Sequence, residues 1–236
     1  MALPKLMHPT FELNIPSTKQ KVKFRPFLVK EEKLLLMAKQ SGEQSDIVNV
    51  LKQVINNCDV ESVVKVDQLA SFDIEYLFLK LRAKSINNVI DLAYTDFEDD
   101  ETYKFTLDAE EVEISYDPDH SNIVKLSENS GIVMKYPSMD LMSKVIENND
   151  VGGWLFFMIK GCMDQYFEDD KIVLFKDNKP EEVDEFVDSL PTTVIKQFET
   201  FFDTMPKLYH KIEYTNKKGT ERVIELRTLE DFFTLR

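Results

Sequence analysis

Hydrophobic and polar positions change period several times along the chain, and each change marks an element. Thr10 to Pro16 alternates, and "KQKVKFRPFLV" (Lys19 to Val29) alternates again, with Val22, Phe24 and Leu28 on one side. That period of two predicts extended structure over residues 1–29. Pro26 cannot donate to a central ladder, so this strand is an edge or ends there, with backbone groups free on one side. From Lys30 the period becomes helical. Leu34, Leu35 and Ala38 face inward, Glu31 and Lys33 outward, and Ser41-Gly42 is the stop. A second helix is predicted over Ser45 to Asn57, with Ile47, Val50, Leu51 and Val54 on one face. The clearest helix is "SFDIEYLFLKLRAKS", where Ile74, Leu77, Phe78 and Leu81 stand at i, i+3, i+4, i+7. Ser71 is its expected N-cap, Asp73 and Glu75 lie in its first turn, and Arg82 and Lys84 in its last.

The middle returns to alternation. Tyr103, Phe105 and Leu107, then Val112, Ile114 and Tyr116, predict a small antiparallel insertion, with Asp117-Pro-Asp119 as a turn. The acidic run Asp96 to Glu101 reads as a solvated loop. Helical periods resume after Ser138, a cap for Leu141, Met142, Val145 and Ile146. Val151-Gly-Gly153 precedes "WLFFMIKGCMDQYF", read as one deeply buried apolar helix. Ile172 to Phe175 is a short strand. Val183, Phe186, Val187 and Leu190 form a stripe stopped by Pro191, and Val194, Ile195, Phe198, Phe201 and Phe202 form the next. The end predicts a hairpin around Asn216-Lys-Lys-Gly219, with Tyr209, Lys211 and Glu213 against Arg222, Ile224 and Leu226. The expected class is α+β, predominantly helical, with an N-terminal extended segment, a β insertion and a C-terminal β-hairpin. The expected domains are 1–94 (β-arm plus helices), 95–136 (β insertion) and 137–236 (helices ending in the hairpin).

Charge sharpens this picture. The formal net charge is −14. Residues 1–39 oppose eight basic side chains to three acidic ones, a net of +5, so the remainder carries −19. An acidic chain is a poor general partner for nucleic acid. A bipolar one can steer protein partners or associate head to tail. Lysines on an edge strand also guard against aggregation.

Candidate chemistry is sparse. Six glycines leave no glycine-rich phosphate loop. His8, His120 and His210 fall in no nucleophile or metal signature. Cys58 and Cys162 have no neighbouring cysteine, which fits a reducing, cytosolic setting; Cys162 reads as a small buried thiol. "DPDHSNIVKLSE" puts Asp117, Asp119, Ser121 and Glu128 at calcium-loop places, but Asn122 stands where glycine is needed, so a β-turn is the reading. No catalytic residue, cofactor or metal is expected. The N-terminus lacks the apolar run of a signal peptide, and Trp154 to Ile159 is too short to cross a bilayer. The adjacent phenylalanines of "FETFFDTMP" and "LEDFF" fit either a wide core face or an interface.

Four strings together carry a resemblance: "FRPFLVKEEKLLLMA" (Phe24 to Ala38), "FDIEYLFLKLRAKS" (Phe72 to Ser85), "MPKL" (Met205 to Leu208) and "LEDFF" (Leu229 to Phe233). In order and spacing the chain resembles the T4-type bacteriophage baseplate hub and hub-assembly family over nearly its whole length. The resemblance implies a non-enzymatic protein of the host cytoplasm during assembly, or of the virion tail baseplate. It would act by binding other hub or tail proteins, or as a chaperone for a tail protein such as the tape measure, with homo- or hetero-oligomers in view. Relatives look as though they carry cysteine pairs in the C-terminal hairpin; here the tip is Thr215-Asn-Lys-Lys-Gly219 and must hold itself without metal. The expected partner-binding residues are Lys21, Lys23, Phe24, Arg25 and Phe27 in the basic arm, with Phe202, Phe232 and Phe233.

Overall fold

The computed structural model describes residues 6–148 and 153–234, with backbone alone for Gln44 and residues 146–148 and 233–234. In chain order the first elements are β1 (Phe11–Asn14), β2 (Lys21–Phe24), α1 (Val29–Ser41), α2 (Gln44–Cys58) and α3 (Ser71–Ser85). Then come β3 (Val89–Thr95), β4 (Thr102–Asp108), β5 (Glu113–Ser115), β6 (Ile123–Lys125) and β7 (Ser130–Met134). Next are α4 (Met139–Asn148), α5 (Trp154–Cys162), β8 (Met163–Glu168), β9 (Lys171–Leu174), α6 (Pro180–Asp188) and α7 (Ile195–Thr204). The chain ends with β10 (Lys207–Thr215), β11 (Glu221–Leu226) and α8 (Asp231–Thr234).

Contacts group these into two compact units: Met1–Ser115 with Lys207–Arg236, and Tyr116–Pro206. The stretch 95–136, expected as one insertion, is divided between them.

The chain is mixed α+β, at 40% helix and 27% strand, which corrects the expectation of a predominantly helical fold. Its sheets are antiparallel, ordered β1-β2, β3-β4, β11-β10-β5 and β6-β7-β8-β9. One cause of the miss is "WLFFMIKGCMDQYF". The helix ends at Cys162, and "MDQYF" is strand β8. The apolar run Trp154 to Ile159 carries no period to separate the two states, and the short remainder holds too few residues to mark where the helix stops. Nor is α5 deeply buried all round: Met158, Ile159 and Cys162 are, while Trp154 and Phe156 are exposed. The Val151-Gly152 lead-in to α5 lies outside the described residues.

In the first unit α3 supplies the hydrophobic spine. Ile74, Leu77, Phe78 and Leu81 are all buried, as their spacing requires. Its N-cap is Ala70, one residue before the expected Ser71. Asp73, fully buried, accepts from Ala70 N (3.1 Å) and from Ser17 N and Oγ (2.8 and 2.6 Å). It thereby pins the β1–β2 connection to the start of α3. Leu79, Ile90, Leu92, Leu107 and Phe232 share one core with Leu208 and Leu226 of the β10–β11 hairpin. That hairpin is one residue out of the expected register. Ile212 pairs with Ile224 and Tyr214 with Arg222, so Ile212 and Tyr214 face inward and Lys211 and Glu213 outward. A one-residue slip moves every side chain to the other face, and burial of Leu208 and Ile224 decides it. Gly219 sits at φ 82°, and Asn216 Oδ1 accepts from Lys218 N and Thr220 N (3.0 and 2.9 Å), so the turn closes on itself.

The second unit packs α5, α6 and α7 on the β6-β7-β8-β9 sheet around Ile132, Met158, Ile159, Cys162, Phe198 and Phe201. Edge strand β6 is stoppered by a side chain. The Gln197 amide accepts from Lys125 N and donates to Lys125 O, both at 3.0 Å, as a neighbouring strand would.

Candidate interaction surface

The basic arm is built by the alternation Lys21-Val22-Lys23-Phe24. Val22 and Phe24 are buried, and Lys21 and Lys23 point to solvent. β2 pairs with β1, Glu12 opposite Lys23. Its other side is not free. Lys23 O accepts from Val60 N and Arg25 N donates to Cys58 O, both at 2.9 Å. The open edge is that of β1, which pairs only with β2 among the described residues.

Arg25 lies underneath, not at the surface. Its guanidinium donates to both Glu31 oxygens (3.2 and 3.0 Å), to Asn57 O (2.6 Å) and to Pro26 O (2.9 Å). One planar fork thus ties β2 to the start of α1 and the end of α2. Glu31, expected outward, is fully buried; its Oε2 also accepts from Leu28 N at 2.9 Å, closing the N-terminus of α1. Burial pushes the Glu31 carboxyl up, but Arg25 and the Leu28 N–H outweigh it and hold it below the usual value.

Among the described residues, none of the other expected phenylalanines is an exposed side chain. Phe27 is half-buried against Phe78 (5.7 Å between ring centres), and its N–H donates to Ser85 Oγ at 2.7 Å. Phe24 and Phe232 have no exposed surface. Phe202 belongs to the second unit, half-buried beside Phe201. The Phe233 side chain lies outside the described residues. The exposed members are therefore Lys21 and Lys23.

Two charged surfaces escaped sequence reasoning. On α1, Val29, Leu36 and Met37 are 86%, 54% and 59% exposed, on the face opposite buried Glu31 and Ala38. The signal was present: four consecutive apolar residues, Leu34 to Met37, cannot all face one side of a helix. Lys30, Lys33 and Lys39 are exposed around this stripe.

The second is the acidic β3–β4 loop, which is not a solvated run. Asp96 is 1% exposed. It accepts from Arg222 Nε and Nη2 (3.1 Å each) and from Tyr214 OH (2.6 Å). Asn216 Nδ2 donates to Glu98 Oε2 at 2.7 Å, Lys217 N to Asp99 Oδ2 at 3.0 Å, and Lys217 Nζ pairs with Glu101 at 2.6 Å. The loop also braces itself, through Glu98 N to Asp96 Oδ1 and Glu101 N to Asp99 Oδ1. The hydrogen bonds from Tyr214 and Arg222 hold the Asp96 carboxyl far below the usual carboxylate range.

A family model described as T4 bacteriophage base plate protein matches residues 8–234. The chain belongs to this family. No curated protein and no solved structure is matched.

Base plate membership implies a place in the phage tail and contact with other tail proteins, and suggests a non-enzymatic role. The side chains weighed as candidate chemistry in this base plate protein are placed as follows. Burial pushes the Cys58 thiol up to about 11 and the Cys162 thiol up to about 12, so neither is a ready nucleophile. His120 packs in a three-ring cluster with Tyr136 and Phe201 (5.6 and 5.4 Å between ring centres), its Nδ1 on Thr204 Oγ1 at 2.9 Å, a packing role. Asp117 accepts from Asp119 N within a turn that leads to β6, not into a calcium loop. Among the described residues no helix is long and apolar enough to cross a membrane, and no group of three or more His, Cys, Asp and Glu could hold a metal.

Proposed function

We propose that this base plate protein serves the central hub of the contractile tail, as a subunit or an assembly factor, by binding other hub or tail proteins through its basic arm. The observation that carries this reading is Lys21 and Lys23, held outward on a strand whose inner face and flanking Arg25 are locked in place. Preorganised charges raise the rate and selectivity of encounter with an acidic partner more than its affinity. The acidic remainder of the chain disfavours partners of its own sign. Assembly would take place in the host cytoplasm, with the virion tail baseplate as destination for a subunit.

Incorporation tests this. In infected cells, Lys21→Glu with Lys23→Glu blocks hub assembly while the isolated variant stays folded; normal tails from that variant refute the docking role. Mass spectrometry of purified virions then sorts the two modes of action. Presence supports a subunit, and absence an assembly factor or a chaperone for a tail protein such as the tape measure.

A further inference from the structure

Phe97 stands at the tip of the acidic loop, 88% exposed. Its ring meets Tyr94 edge-on at 6.4 Å between centres. Every residue around it is fixed: Asp96 is buried under Arg222 and Tyr214, Asp99 holds Lys217 N and Tyr103 OH (2.6 Å), and Asp100 adopts φ 58°. A single exposed phenylalanine is ordinary on a protein surface, but one carried on a braced loop costs less backbone ordering when it binds. Aromatics held on a fixed loop anchor interfaces when they enter an apolar site.

The same chain carries a surface of matching chemistry. Around Phe97 the five acids Asp96, Glu98, Asp99, Asp100 and Glu101 face three cations, Lys217, Lys218 and Arg222, a net of −2. The outer face of α1 offers apolar Val29, Leu36 and Met37 among Lys30, Lys33 and Lys39 with Glu32, a net of +2. We propose that Phe97 of one copy docks on the α1 outer face of a second copy, between Leu36 and Met37, with the acidic rim against the lysines. The contact is head to tail, so each chain offers one knob and one face. A knob on a single helix face buries little area, so the association is weak and salt-sensitive. It stands apart from the hub reading, which rests on Lys21 and Lys23.

The test is sedimentation velocity of the full chain over a wide concentration series. Wild type gains mass with concentration. Phe97→Ala and Leu36→Asp, both at exposed positions, keep the wild-type circular dichroism and stay monomeric. An equimolar mixture of the two variants forms a dimer and nothing larger, because one supplies only the helix face and the other only the phenylalanine. A wild type that is monomeric throughout, a Phe97→Ala chain that associates like wild type, or a mixture that stays monomeric overturns the proposal. Failure here leaves the hub reading standing, since that is read from incorporation into tails.

Discussion

The basic arm and the acidic loop use one device at two ranges. In each, a single carboxylate is buried, Glu31 fully and Asp96 to 1% exposure, and an arginine fork holds it. In the arm the partners are six residues apart, and in the loop 126. The near pair does local work: it finishes the N-terminus of α1 and anchors the end of α2. The far pair holds two hairpins together, β3–β4 and β10–β11. The difference teaches that charge burial sets element boundaries when local and tertiary pairing when distant. Lys21 and Lys23, outside these pairs and exposed, are available for partners.

Breaking the near pair is expected to have the largest effect. Arg25→Ala leaves buried Glu31 with only the exposed Lys30, at 3.4 Å, for a cation and costs about 3 kcal/mol in urea unfolding, while Arg25→Met with Glu31→Leu recovers most of the loss. Single and double variants of equal stability contradict this account. The far pair comes next. Arg222→Ala lowers the melting temperature less, because the arginine is partly solvated, but its footprint is wider. Hydrogen exchange quickens across β3–β4 and β10–β11 together, whereas Arg25→Ala loosens only β2, the first turn of α1 and the end of α2.

Titration sharpens the contrast further. The folded-state values of Glu31 and Asp96 lie below the ordinary carboxylate value of about 4. Their contribution is therefore complete above that value and declines as pH falls through the folded-state values. Glu75 on α3 has the opposite sign. Burial pushes its carboxyl from 4.5 up to about 7, with Asp231 and Glu230 adding to the rise. Its ionisation penalises the folded state as pH rises through that window, so Glu75→Gln is expected to flatten the loss of melting temperature there. An unchanged pH profile in Glu75→Gln removes this assignment. The smallest effect is reserved for the surface. Lys21→Ala with Lys23→Ala shifts stability by no more than about 0.5 kcal/mol, although binding depends on them.

The same distinction explains what was legible in the sequence. The helix Ser71–Ser85 was readable to within a residue because its periodicity is internal to it. So were α1 and α2 to within a residue or two, and the final hairpin in place though not in register. Family membership was legible too, through motifs scattered over the chain. What stayed hidden depended on distance. Nothing in "DFEDDE" announces that Arg222 will bury its first aspartate, and nothing in "KEEK" shows which glutamate turns inward to meet Arg25. Phe97, the second residue of the first string, was passed over because its neighbours looked merely soluble.

The strand pairing Lys207↔Ser115 has a consequence for how the chain is made. The first unit leaves off at β5 and resumes on the adjacent strand β10, ninety-one residues of second unit intervening. On a ribosome, that intervening unit is complete while the earlier one still lacks its closing hairpin and the Phe232 plug. Vectorial synthesis therefore matures the later-encoded module first, and Asp96 waits unneutralised until Arg222 leaves the exit tunnel.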